Sequence, residues 1–98
     1  MSGAPGDAPA ALLGALADRA RGRVVGMLAE EGALTVGALC ARFPVSRFAT
    51  MKHLNVLEAA GVVRREARGR ERLVSLAPGW DGPLRAWLDG LRARSGGP

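Results

Sequence analysis

Five side chains between residues 47 and 55 fall on one face if that stretch is helical: Arg47, Phe48, Met51, Lys52 and Asn55. Their types match the chemistry of reading base edges in the DNA major groove. Asparagine pairs bidentately with adenine, arginine or lysine meets guanine or a phosphate, and a methionine or phenylalanine touches a thymine methyl. A second group, Arg68–Gly69–Arg70, sets two guanidinium groups around a residue suited to a tight turn. At the tip of a hairpin they would reach flanking phosphates or the minor groove, where positive charge releases counterions. Residues 36–42 would lie across the phosphate backbone, which adds Arg42, and Arg65 completes the candidate DNA contacts, with an ordinary solvated strand face as the alternative for Arg64, Arg65 and Arg72.

Other chemistries have little to work with. The sequence holds one cysteine, Cys40, and one histidine, His53, so no internal disulfide forms. A site of three or four His and Cys ligands within one chain is hard to assemble, although carboxylates or a second subunit could contribute. No glycine-rich phosphate loop, nucleophile elbow or pair of catalytic carboxylates stands out, so neither an enzyme nor a bound cofactor is expected. Cys40 reads as a small buried apolar residue, with a ligand or redox role as its alternative. For His53, packing or hydrogen bonding at the core edge stands ahead of base contact.

The charge agrees with a polyanionic partner. Fourteen Lys and Arg against nine Asp and Glu give +5 over 98 residues. Eight basic and three acidic residues lie within 42–72, and six of each lie outside, so the whole excess belongs to that one segment. Its position argues against a membrane surface, because the stretch is not an amphipathic anchor. The apolar run 8–17 is too short to span a bilayer, and Asp7 precedes it where a secretion signal carries Lys or Arg; the expected location is cytoplasmic.

The elements that must position these groups follow from periodicity and punctuation. Leu12, Leu13 and Leu16 form one helical stripe, and Val24, Val25, Met27 and Leu28 a second that ends at Gly32. Thr35 is an N-cap for a short third helix, which stops near Phe43 because Pro44 disfavours helical geometry at the residue before it. Ser46 caps a fourth helix running to about Ala60, with Gly61 in the left-handed terminal position; its inward face is Ala49, Thr50, His53, Leu54, Leu57 and Ala60. Two short strands turning at Gly69 follow, and then a last helix capped by Asp81. Trp80, Leu84, Trp87, Leu88 and Leu91 line one face of it and, with Leu12, Leu13 and Leu16, make the expected dimer interface. The fold class is mainly α with a small β-hairpin, a winged helix-turn-helix in the order α-α-α-α-β-β-α. It occupies residues 9–94, between a disordered tail at 1–8 and a short tail at 95–98.

The ordered set Leu16–Ala17–Asp18, Leu34–Thr35–Val36–Gly37–Ala38–Leu39, Phe43–Pro44–Val45–Ser46, and Lys52–His53–Leu54–Asn55–Val56–Leu57–Glu58–Ala59–Ala60–Gly61–Val62–Val63 closely resembles the ArsR family of bacterial winged-helix repressors. The likeness covers roughly residues 9–92, including the Arg–Gly–Arg wing. It implies a homodimer, paired through the first and last helices, that binds a palindromic operator in double-stranded DNA and represses its own or adjacent genes. It also implies what is missing here. Metalloid-sensing members carry further cysteines a few residues ahead of the position matching Cys40, where this chain has Thr35 and Gly37. The family's other metal site, on the last helix, uses His and carboxylates; residues 80–94 offer Asp81 and Asp89 without a His. The chain thus resembles the non-metal-sensing branch, and no metal ligand is assigned. Two alternatives stand beside this reading: a winged-helix protein-interaction module that has lost DNA binding, and a metal-sensing repressor with intersubunit ligands. The operator sequence, the sign of regulation and any small-molecule inducer are not encoded legibly.

Overall fold

A computed structural model describes residues 7–95. Most of both expected tails therefore lies outside the described residues; residues 7 and 8 belong to no helix or strand. The elements are α1 (Ala10–Ala17), α2 (Arg19–Glu31), β1 (Leu34–Thr35), α3 (Val36–Arg42), α4 (Arg47–Ala59), β2 (Val63–Arg68), β3 (Glu71–Leu76) and α5 (Gly82–Arg94). This is the winged helix-turn-helix expected from the sequence, with one addition. Leu34 and Thr35 pair antiparallel with Val74 and Leu73, so the wing is a three-stranded sheet in the order β1-β3-β2 rather than an isolated hairpin.

Local side-chain chemistry fixes most boundaries. The Asp18 carboxylate accepts from the Arg21 amide and starts α2. In the same way the Thr35 hydroxyl accepts from the Ala38 amide and the Ser46 hydroxyl from the Ala49 amide, which starts α3 and α4. Helix α4 ends in a paired backbone cap: Gly61, at φ +78°, donates to the Glu58 carbonyl, and Val62 donates to the Leu57 carbonyl. Val62 and Leu57 are both fully buried, so this cap also aims β2 along the core. At the wing tip Arg68 pairs with Glu71 across a two-residue turn in which Gly69 takes φ +61°. A glycine with positive φ ahead of a residue without one is the pattern of a turn whose twist matches its strands.

Asp81 departs from expectation. Its backbone lies in the helical region rather than the extended geometry of an N-cap, so its carboxylate accepts from Arg85 one turn on instead of from the first amides of α5. The core gathers Leu12, Ala15, Val24, Leu28, Val36, Leu39, Leu54, Leu57, Val62, Val63 and Val74. Leu12 therefore belongs to the interior of the subunit, 5% exposed, and not to a free dimer seam. Fully burying one such leucine is worth roughly 1.5–3 kcal/mol, which holds α1 against the body. Helix α5 is the opposite case: none of its residues is buried.

Candidate nucleic-acid interface

Helix α4 puts Thr50, Leu54 and Leu57 into the core. The face opposite them is what remains for a partner. Phe48 is 73% exposed at its N-terminal end, and the Lys52 ammonium lies 5.5 Å from the centre of the Phe48 ring. Arg47, Lys52 and Asn55 are exposed as expected. Met51 is not fully outward: it is half-buried and packs against the core while its remaining surface lines a cleft.

That cleft, about 440 Å³, brings the two sequence-predicted groups together. Its walls are Arg47 and Met51 of α4, residues 35–37 at the start of α3, and Arg70, Glu71 and Arg72 of the wing. The end of α4 and the wing tip thus face one opening, with three guanidinium groups around it. Among the described residues, no carboxylate lies within ion-pair distance of Arg47, Lys52, Arg68, Arg70 or Arg72. Unpaired, exposed cations keep their charge available to an external anion such as a phosphate. Arg72, whose position in the sequence suggests only a solvated strand face, lines the same cleft.

Two other predicted contacts are engaged within the molecule. Arg42 donates to Glu31 of α2, which holds the Glu31 carboxyl below the usual carboxylate range. Arg65 is turned inward, its side chain only 10% exposed, because it stands two residues after buried Val63 and so shares the core-facing side of β2. Its Nη2 donates to Oδ1 of Asn55 at 2.8 Å and to Oε1 of Glu58 at 2.5 Å. The hydrogen bond from Arg65 lowers the Glu58 pKa. Arg65 therefore links the base of the wing to the C-terminal half of α4 instead of projecting from it. His53 follows the packing expectation: its Nδ1 lies 3.3 Å from Nη1 of Arg21, whose Nε donates to the Ala15 carbonyl at the end of α1. Cys40 is half-buried against the core.

The predicted interface residues separate by depth. Leu16, Trp80 and Leu84 pack partly against the chain's own core, Leu13 and Trp87 are half-buried, and Leu88 and Leu91 are 42% and 40% exposed. Among the described residues, no three His, Cys, Asp or Glu converge as metal ligands. No helix among them is long and apolar enough to cross a membrane.

Comparison with known proteins connects this geometry to a group of regulators. The Helix-turn-helix domain family matches residues 16–66. The HTH-type transcriptional regulator Rv2034 of Mycobacterium tuberculosis is 41% identical over 83% of this chain and 75% of its own length. The crystal structure of an ArsR family transcriptional regulator superposes with a TM-score of 0.82 at 29% identity, covering 91% of both chains. Another, an ArsR-like transcriptional regulator from Rhodococcus sp. RHA1, gives 0.77 at 30% identity over 88% of this chain and 80% of that one.

Proposed function

The chain belongs to the ArsR family of helix-turn-helix transcriptional regulators, and from that premise we propose that it is a dimeric repressor binding a palindromic operator of its own or an adjacent operon. The observation that carries this reading is the shared cleft of α4 and the wing tip, lined by Arg47, Arg70 and Arg72, none of which has a carboxylate within ion-pair distance among the described residues. In the complex α4 lies in the major groove, which is about 12 Å wide and admits one helix. Phe48, Lys52 and Asn55 then face base edges, with the exposed part of Met51 beside them. Arg68 and Arg70 meet the backbone or the adjacent minor groove. A second copy covers α5, whose Leu84, Trp87, Leu88 and Leu91 find no buried position in one chain. Covering that face, together with Leu13 and Leu16 of α1, sets two recognition helices about a twofold axis, and a symmetric operator follows from that symmetry.

The protein on this reading works in the cytoplasm as a binding protein without catalysis or a cofactor. Metal sensing is not part of the proposal, because arsenical and zinc sites draw on several soft or imidazole ligands and the sequence has one Cys and one His.

The test is fluorescence anisotropy of the full chain with a duplex taken from upstream of its own gene, against unrelated duplex of equal length. Specific binding with a footprint of twofold symmetry is expected. Equal affinity for both duplexes would contradict sequence reading, and retention of an acidic protein partner instead of DNA would favour an interaction module. Leu88→Glu with Leu91→Glu should convert a dimer to a monomer in sedimentation equilibrium.

A further inference from the structure

Resting on the reading of α4 as the base-reading helix, we propose that Arg65 is a positioning residue that turns the Asn55 amide so that its NH2 group faces the DNA, making Asn55 a reader of base acceptors. Sequence position alone groups Arg65 with the wing's DNA-facing cations. The structure puts it on the opposite side of the strand, opposite Val74 in the sheet register and against α4.

The argument is one of donors and acceptors. A guanidinium group only donates, so the Asn55 atom that meets Arg65 at 2.8 Å must be its carbonyl oxygen. The amide nitrogen is then directed away from Arg65, on a residue that is itself exposed. Glu58, three residues further along α4, holds the same Nη2 by an ion pair and keeps the guanidinium from rotating away. Asn55 thus offers two N–H donors with its oxygen already engaged. In the major groove acceptors are purine N7, guanine O6 and thymine O4, whereas cytosine shows a donor. Bidentate pairing with adenine needs the amide oxygen to accept from N6 as well; that oxygen keeps a second lone pair, but its carbonyl is held towards Arg65, so the pairing is disfavoured by orientation. The base Asn55 faces is therefore selected for an acceptor edge and against cytosine, and Arg65 sets that choice without touching DNA.

The experiment selects binding sites from a randomised duplex library with the full chain and three variants, with thermal melting and salt dependence measured alongside. Asn55→Ala identifies the position that Asn55 reads by flattening its base preference. Arg65→Met should flatten the same position by roughly fivefold or more, the low end of the effect of one mismatched base pair, and leave other positions and the salt slope unchanged. Glu58→Ala, which removes the ion pair and leaves the Asn55 contact in place, should flatten it less and serves as the readout if Arg65→Met does not fold. Uniform weakening of all sequences by Arg65→Met, with a salt slope smaller by about 0.9 per phosphate, would make Arg65 a direct backbone contact and overturn the proposal. A lower melting temperature with unchanged base preference would reduce it to a structural role and overturn it equally. A wild-type chain that selects no sequence would defeat the DNA-reading function itself, and this inference with it.

Discussion

The base and the tip of the wing carry the same residue type three to five positions apart and use it in opposite ways. At the base, Arg65 is inward, hydrogen-bonded to Asn55 and ion-paired with Glu58. At the tip, Arg68 and Arg70 are exposed on a two-residue turn with no carboxylate partner among the described residues. Strand parity makes the difference: β2 alternates from buried Val63, so position 65 returns to the core side, while beyond position 67 the hairpin has left the body behind. A count of basic residues therefore overstates the cations available to DNA. The base holds the wing in place against α4, and the tip supplies charge.

Substitutions should separate the two regions. The largest effect is expected in the body that carries the base, where Leu57→Ala empties a fully buried position of α4 and should cost about 2–5 kcal/mol in urea denaturation. Gly61→Ala comes next. An added Cβ meets nothing within 4 Å, so the cost is that of φ +78° alone, about 1–2 kcal/mol by the same measurement. A comparable loss from Arg70→Ala at the tip would break the distinction; a change within about 0.5 kcal/mol is expected there, as for an exposed site without special features.

Acid should act through the body rather than the tip. The carboxyls of Asp18, held down chiefly by the Arg21 backbone hydrogen bond, and of Glu31 and Glu58, held down by hydrogen bonds from Arg42 and Arg65, lie below their ordinary values of 3.8 and 4.5. Each favours the folded state fully above the ordinary value, and the contribution is lost as pH falls through the lowered one. The melting temperature should thus be level from neutrality to about pH 5 and decline below the ordinary carboxylate pKa. Glu58→Gln should make that decline shallower.

What the sequence made legible was mostly local. Thr35, Ser46 and Gly61 act through atoms within four residues, so their types and spacing sufficed to mark helix ends. The turn at Gly69 was readable for the same reason. Strand β1 was not, because two residues acquire extended pairing only through Leu73 and Val74, almost forty positions away. Asp81 had the right type for a cap but the wrong backbone geometry. Leu12 shows the limit of periodicity: a stripe gives the direction of burial without saying whether the cover is the same chain or another. Phe48, Lys52 and the tip arginines are exposed, as their types and positions predict, whereas Arg42 and Arg65, expected beside them, have acidic neighbours in space that sequence position does not reveal.

The central claim is that the unpaired cations of α4 and the wing tip neutralise DNA phosphates. Its direct measurement is the salt dependence of binding for the full chain and for Arg68→Ala with Arg70→Ala, using the upstream duplex. A steep fall of log K with log salt is predicted for the wild type, with a slope reduced in the variant by about 0.9 for each phosphate contact removed. A wild-type slope near zero, or a variant slope identical to wild type, would contradict it.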